Sequence, residues 1–217
     1  MRLRVRGAAR EYLEAILVAL IMALVLRTFV AQAYRIPSDS MDRTLAVGDF
    51  ILVNKFTYHF REPQPGDIIV FQYPLNPAKD YVKRCIALEG QMVEIRNKIV
   101  YVNNREIVEA EGVYHNDPNI IPADLGNRDN FGPVIVPPGC VFVLGDNRDN
   151  SRDSRVWGFL DVTLIRGRAM MVYWSWAPDP NAPEWESPYI LPLLTIPFYN
   201  MVHFPTRVRW DRIGTML

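Results

Sequence analysis

An apolar run close to the N-terminus limits what this chain can fold into more than any other feature. Residues 15–26, AILVALIMALVL, contain no polar side chain and follow a basic start, MRLRVRGAAR, that holds no acid. This run alone is too short to cross a bilayer, but residues 13–33 as a helix would extend roughly 30 Å. Glu14 and Arg27 then lie near the ends, where their side chains can reach the interface. Because basic residues favour the cytoplasmic side, the pattern predicts a cytoplasmic N-terminus and a translocated remainder.

The same segment also fits a removable signal peptide. It has a basic start, a short apolar centre and the small-x-small sequence AQA at residues 31–33. A buried core helix is a third reading, which the flanking arginines disfavour. The segment by itself does not choose between a retained anchor and a cleaved peptide.

Beyond residue 34 the chain has the pattern of short strands. Apolar and β-branched runs such as DFILVNKFTY, DIIVFQY, MVEIRNKIVYVNN and CVFVLGDN are separated by the turn sequences AVGD, PQPGD and VPPG. No ten-residue segment with helical periodicity stands out. We therefore expect a mainly β, antiparallel extracytoplasmic domain.

Two segments have the composition of insertions. Residues 109–130 are polar and rich in Pro, Gly and Asn. Residues 177–205 contain the uncharged sequence YILPLLTIPFYNMVHF, in which Pro192 and Pro197 argue against a second membrane span. This stretch is predicted to be buried strand and loop, with contact to the membrane face beside Trp174, Trp176 and Trp185 as the alternative.

The overall composition excludes several classes of function. The formal net charge is zero, which argues against a nucleic-acid partner. His59, His115 and His203 lie far apart and form no metal-ligand pattern, so neither a metal nor a cofactor is expected. Cys85 and Cys140 form no disulfide framework, and their spacing does not tell whether they pair.

Two serines, a lysine and a polar block are the candidates for chemistry. PSDSM carries Ser38 and Ser40, and a serine hydroxyl needs a neighbouring base to become a good nucleophile. No histidine is near, but Lys83 lies in an otherwise apolar run, where desolvation favours the neutral amine. Residues 145–158, GDNRDNSRDSRVWG, are too polar for a core strand. They form a hydrated loop, an ion-pair network, or the support of an active site.

These segments together resemble bacterial type I signal peptidases, membrane-anchored serine proteases that remove signal peptides. The resemblance rests on PSDSMDRTL (37–45), GDFILVNKF (48–56), YVKRCIALEGQ (81–91) and GDNRDNSRDSRVWG (145–158), with RVRWDRIG near the end also similar. It implies that the N-terminal segment is retained, because cleavage after residue 33 would leave the serine without a tether.

The resemblance also implies a domain organisation. Residues 1–11 would be a cytoplasmic basic N-terminus and residues 12–33 a transmembrane helix. Residues 34–217 would form a β-rich catalytic domain of the signal peptidase and repressor-protease type, with insertions near 109–130 and 177–205. The protein would be a single-pass protein of the plasma (inner) membrane, with its catalytic domain on the extracytoplasmic side.

The roles of individual residues are implied in the same way. Ser40 would be the nucleophile and Lys83 the general base, while the Ser38 hydroxyl and the Ser40 backbone N–H would stabilise the oxyanion. Ser151 would orient the lysine amine, and Asp153 with Arg155 would support the site. Residues that correspond to the family's small S1 and S3 pockets are Tyr34, Ile36, Met41, Leu45, Ile51, Val70, Tyr81 and Val82.

The implied substrates are signal-peptide-bearing precursor proteins, cleaved after small-x-small sites such as Ala-x-Ala. The resemblance also implies that the protein contacts the lipid bilayer and lies near the secretion translocon. The alternatives are a related serine–lysine protease, of the self-cleaving repressor or conjugation-processing type, and a membrane-tethered binding protein with a decayed site.

The chain departs from the family pattern at a few positions. Asp39 stands where glycine is usual, and we expect its carboxylate to point away from Lys83 because its charge would favour the ammonium. Arg43 stands where proline is common. Residues 87–91 depart from the family's lysine motif, so that turn is the weakest part of the resemblance.

Overall fold

The computed structural model describes residues 3–25, 31–183 and 190–217. Within these ranges four α-helices are α1 (Leu3–Val25), α2 (Ser154–Trp157), α3 (Ile190–Val202) and α4 (Phe204–Arg207). The strands there are β1 (Ala31–Arg35), β2 (Asp49–Asn54), β3 (Ile68–Tyr73), β4 (Asn76–Ala87), β5 (Met92–Arg96), β6 (Ile99–Val102), β7 (Arg105–Glu106), β8 (Phe131–Ile135), β9 (Cys140–Leu144), β10 (Leu160–Asp161) and β11 (Ile165–Ser175). Short 3-10 turns occupy Thr57–His59, Val162–Leu164 and Trp210–Arg212.

The strands form two antiparallel sheets. The larger sheet has the order β1-β2-β11-β3-β4-β9-β10, and the smaller sheet has the order β7-β6-β5-β8. The β-branched runs seen in the sequence become these strands, since such side chains pack well on a pleated surface. The prediction of a mainly β, antiparallel fold is confirmed.

Buried apolar side chains form three clusters on these sheets. One cluster fills the space between β2, β3, β11 and the segment that follows β1, and its members are Ile36, Met41, Leu45, Ile51, Val53, Ile68, Val70, Ala169 and Val172. A second cluster lies under the smaller sheet. The third lies beneath β3, β4 and β9. The first cluster supports the segment that carries the two candidate serines.

The N-terminal segment differs from the predicted helix 12–33 at both ends. Helix α1 begins at Leu3, and residues 31–33 belong to β1. Strand β1 pairs with β2 along its whole length, from Ala31 opposite Asn54 to Arg35 opposite Phe50. This pairing satisfies the backbone groups of β1 that face β2, while the groups on its other edge have no strand partner among the described residues. Residues 26–30 lie outside the described ranges. Within those ranges no helix is both long and apolar enough to cross a membrane.

Residues 190–202 and 204–207 of the apolar C-terminal stretch are helical, which corrects the prediction of strand and loop for that part of 177–205. They form α3 and α4, which are separated by one residue. Pro192 is the third residue of α3, where a backbone N–H has no helical acceptor and proline is tolerated, while Pro197 lies inside the helix. Trp185, named with the membrane-face alternative, lies outside the described residues. Cys85 is buried and Cys140 half-buried, and both are free thiols.

Candidate active site

Ser40 and Lys83 meet at the junction of β4 with the turn that follows β1. Lys83 lies within β4, opposite Ile69 of β3, and only 3% of its surface is exposed. Its Nζ atom is 2.6 Å from Ser40 Oγ, within hydrogen-bond distance. The structure therefore brings together the two residues that the sequence selected for nucleophile and base.

Burial changes the acid–base behaviour of this lysine. Loss of hydration lowers the pKa of Lys83 from its ordinary value of 10.5 to about 8. The carboxylates of Asp153, Asp146 and Asp39 oppose this change, and Arg155 adds to it. With such a pKa, about one-tenth of the amine is neutral at pH 7 and about half at pH 8.

Ser38 lies beside the same hydroxyl. Its Oγ is 3.5 Å from Ser40 Oγ, and its side chain is exposed. The turn is compact, because Asp42 N donates to Asp39 O at 2.9 Å and Leu45 N donates to Met41 O at 2.6 Å. The two hydroxyl groups therefore lie on the same side of the turn.

A buried ion pair connects the lysine strand with the serine turn. Arg84, the residue after Lys83, donates from Nε and Nη2 to the two carboxylate oxygens of Asp146 at 2.8 and 2.6 Å. Thr44 Oγ1 donates to the same carboxylate at 2.6 Å. Asp146 is fully buried. The sequence suggests no role for Arg84 or Asp146 beyond their places in the motifs 81–91 and 145–158.

Asp153 and Arg155 hold the rest of this loop. Asp153 caps α2 and accepts from Gly145 N at 3.1 Å, while Arg155 donates to its two oxygens at 2.9 and 2.7 Å. Burial alone would raise the pKa of Asp153, but these hydrogen bonds and the guanidinium charge hold it below its ordinary value. Arg155 also donates to Arg128 O at 2.7 Å, which joins the loop to the insertion at 109–130. Both predicted support residues therefore brace the loop beside the dyad, and their charges act on the pKa of Lys83.

Ser151 lies close to the dyad through Gly145. A Cβ on Gly145 would overlap Ser151 Oγ and the Ser40 carbonyl oxygen, so only glycine allows the two serines to approach here. Ser151 Oγ is buried beside the Asp153 carboxylate, whose pKa it helps to lower, but makes no hydrogen bond of good geometry to a described residue. Its orientation of the Lys83 amine stays a prediction.

Two asparagines hold Asp39. Its carboxylate accepts from Asn150 Nδ2 at 2.8 Å, and its carbonyl oxygen accepts from Asn147 Nδ2 at 3.2 Å. The Asn147 backbone N–H donates to Ser40 O at 3.2 Å. The carboxylate is therefore turned to Asn150, although its charge still favours the ammonium of Lys83 to a small extent.

A cleft of about 610 Å³ opens beside the dyad. Ser38, Ser40 and Lys83 line it, together with six of the predicted pocket residues, namely Tyr34, Ile36, Met41, Val70, Tyr81 and Val82. The other two, Leu45 and Ile51, are fully buried in the core behind this wall. A larger cavity of about 880 Å³ lies around Phe56 and Phe60 and contains none of the predicted residues. The chemistry favours the smaller cleft as the substrate site.

The described residues contain no group of three or more His, Cys, Asp or Glu side chains arranged to hold a metal ion. The chemical capacity of the site is that of a hydroxyl activated by a buried amine. Such a pair can attack a carbonyl carbon and transfer an acyl group.

The sequence of this chain matches a known protein family. The family described as "Signal peptidase, peptidase S26" matches residues 9–174. A signal peptidase I from Aquifex aeolicus (strain VF5) is 36% identical over 82% of this chain and 90% of its own length. A probable signal peptidase I-1 from Synechocystis sp. is 45% identical over 74% of this chain and 80% of its own. A crystal structure of a signal peptidase I from Enterococcus faecalis V583 has 33% identity, covers 50% of this chain and 97% of that one, and gives a TM-score of 0.39. The chain belongs to the S26 family of signal peptidases and is a peptide-bond hydrolase of that family.

Proposed function

We propose that this protein is a membrane-bound serine endopeptidase that removes N-terminal signal peptides from precursor proteins, with Ser40 as nucleophile and Lys83 as general base. Membership of the signal peptidase family supports the class of substrate. One observation carries the chemistry: a buried amine, whose pKa is near 8, lies 2.6 Å from a serine hydroxyl.

The geometry supports a two-step acyl transfer. The neutral amine of Lys83 takes the proton of Ser40 as Oγ bonds to the scissile carbonyl carbon. The ammonium then gives that proton to the amine of the leaving segment, and the C–N bond breaks to leave an ester on Ser40. A water molecule, deprotonated by the same amine, attacks the ester and releases the signal peptide as an acid.

The developing negative charge needs donors that are already in place. The Ser38 hydroxyl, 3.5 Å from Ser40 Oγ, and the Ser40 backbone N–H are the groups we assign to the oxyanion. A single donor of this kind typically contributes a factor of about 10² to 10³ in rate.

The cleft suits an extended peptide. β1 is the edge strand of the larger sheet, and the part of β4 before Arg84 pairs only with β3 among the described residues. Both strands line the cleft, so both offer unpaired backbone groups to a substrate strand. The buried side chains of Ile36, Met41 and Val70 fill an apolar part of the wall between them, which suits small apolar side chains such as those of an Ala-x-Ala site.

The proposal includes a membrane anchor formed by the helix of the N-terminal segment. The described apolar side chains between residues 12 and 24 of α1 are exposed, among them Leu13 (68%), Ile16 (65%) and Met22 (59%). Apolar side chains around a whole helix are stable in lipid or in a protein core but not in water. The basic N-terminus would stay in the cytoplasm, with the catalytic domain across the plasma membrane, near the secretion translocon.

The test uses the full chain in detergent micelles with a purified precursor whose signal peptide ends in Ala-x-Ala. Ser40→Ala and Lys83→Ala should each abolish cleavage while the circular dichroism spectrum stays unchanged. Lys55→Ala is the matched control, because Lys55 lines the larger cavity away from the dyad, and it should cleave normally. Substantial residual cleavage by either dyad variant would remove the assignment. Cleavage at a site without small residues would instead remove the proposed specificity.

A further inference from the structure

Tyr114, which lies in the polar insertion, pairs with the loop that supports the dyad. Its backbone N–H donates to Asp146 O at 3.0 Å, and its carbonyl oxygen accepts from Arg148 N at 3.1 Å. These two bonds form a short parallel bridge opposite Asn147. The insertion is therefore attached to the loop at the point where that loop contacts Ser40, since Asn147 N donates to Ser40 O.

The side chain of the same residue reaches the serine turn. Tyr114 Oη donates to Asp42 Oδ2 at 3.1 Å, and its ring centroid lies 4.0 Å from the guanidinium carbon of Arg43. A guanidinium on an aromatic face at this distance is attracted to the ring. Tyr114 thus contacts two consecutive residues that begin two positions after the nucleophile.

Arg43 has a backbone conformation that needs support. Its φ is +69°, in the left-handed region that side chains other than glycine rarely adopt. Such residues persist only when their surroundings hold them. The ring of Tyr114 covers the Arg43 side chain, so it is placed to hold the turn in this form.

The insertion also lies very close to Thr44, the residue that follows Arg43 in the turn. Gly112 has a φ of +94°, and a Cβ there would overlap Thr44 Oγ1. That hydroxyl is the donor to Asp146, whose carboxylate holds Arg84 next to Lys83. The insertion therefore contacts both connections between the serine turn and the rest of the site. Tyr114 pairs beside Asn147, which donates to Ser40 O, and Gly112 packs on Thr44, which binds the carboxylate that holds Arg84.

We propose that Tyr114 is a positioning residue that fixes the 40–44 turn against the 145–155 loop, and so fixes Ser40 relative to Lys83. The proposal deepens the proposed function and rests on it. Tyr114 does not line the cleft, so its effect should appear in the rate of the chemical step and not in substrate binding.

The test measures kcat and KM for the full chain in detergent, with a precursor substrate, well below the melting temperature of every variant. Tyr114→Leu should lower kcat about 10- to 100-fold, the range expected for a displaced reacting group, while KM stays within about twofold. Tyr114→Phe keeps the ring on Arg43 and should retain kcat within about threefold. Tyr101→Leu is the matched control, since Tyr101 makes the same kind of stack with Arg96 at 4.5 Å on the smaller sheet, and it should leave kcat unchanged.

A second pair of variants, made in an Arg43→Gly background, tests whether Tyr114 acts by holding the left-handed backbone of Arg43. Arg43→Gly removes the residue whose left-handed backbone needs support, because glycine adopts positive φ readily. In that background Tyr114→Leu should lower kcat by no more than about threefold. An equal loss in both backgrounds, an unchanged kcat for Tyr114→Leu, or a change confined to KM would overturn the proposal.

Ser40→Ala in the same assay separates this inference from the proposed function. If Ser40→Ala is inactive and Tyr114→Leu cleaves normally, only the positioning role of Tyr114 falls. If Ser40→Ala retains cleavage, the dyad itself is wrong, and the role assigned to Tyr114 falls with it.

Discussion

Replacing the buried lysine with an apolar side chain of similar length should stabilise the fold while abolishing catalysis. The pKa of Lys83 falls from 10.5 to about 8 because burial removes its hydration. At 1.36 kcal/mol per unit, this shift corresponds to about 3 kcal/mol of unfavourable free energy for the charged amine in the folded state. Lys83→Met removes the charge and keeps most of the volume, and its lost hydrogen bond to Ser40 offsets part of the gain.

The pH dependence of this effect has a defined sign. Between pH 8 and 10.5 the unfolded chain holds the lysine proton more tightly than the folded chain, so the destabilisation that comes from Lys83 shrinks as the pH rises through this window. Below pH 8 the full penalty is present. The advantage of Lys83→Met should therefore be largest at pH 7, at most about 3 kcal/mol, and should shrink towards pH 10.

The assay is thermal unfolding of wild type and Lys83→Met in the same detergent at pH 7 and pH 10. For a chain of this size, each kcal/mol corresponds to about 2–4 °C in Tm. We expect Lys83→Met to melt several degrees higher at pH 7, with a smaller difference at pH 10. A lower Tm at pH 7, or a difference that does not change with pH, would refute the reasoning that Lys83 is destabilised by burial.

Three further outcomes are expected. Ser38→Ala should fold normally and lower kcat about 10²- to 10³-fold, measured with a precursor substrate, and an unchanged kcat would exclude its oxyanion role. Asp39→Asn keeps an acceptor for Asn150 but removes a charge that raises the pKa of Lys83, so the acid limb of the pH–rate profile should move to lower pH. Asp42→Asn, the same change three residues on, should leave that limb in place. EDTA should leave the rate of cleavage unchanged, and inhibition that added metal reverses would indicate a metalloprotease.

The strands and the chemical pair could be predicted because local sequence carries their signals. Alternating and β-branched runs bounded by turns became β2, β3, β5 and β9. Lys83 stood out because a lysine inside an apolar run must lose its hydration, whatever the topology. The sheet order was not predictable, since β11 lies between β2 and β3 and no local pattern encodes that pairing.

Helix α3 was missed for a physical reason. Short apolar runs do not separate a strand from a helix, and the argument from Pro192 and Pro197 concerns only a membrane span. Pro192, however, lies in the first turn, where its missing N–H has no consequence. The described end of α1 could not be predicted either, because the sequence AQAYR fits a helix end as well as the edge strand it forms.

The support of the site was only partly predictable. Asp153 and Arg155 came from the resemblance, but the Arg84–Asp146 ion pair joins residues from two distant motifs. Leu45 and Ile51 were grouped with the pocket by the resemblance alone, and the sequence does not tell an apolar residue that lines a cleft from one that lies behind it. The role proposed for Tyr114 could not be predicted from its place in a polar insertion. It depends on contacts with two segments, around Asp42 and Asn147, that only the fold brings together.

The pH dependence of kcat/KM, measured from pH 6 to 10 with a precursor whose own groups do not titrate in that range, tests the central claim most directly. If a neutral Lys83 must accept the Ser40 proton, kcat/KM should rise with a single ionisation near pH 8, about tenfold between pH 7 and pH 9. A profile that is flat across this range, or one governed by an ionisation above pH 10, would contradict the account.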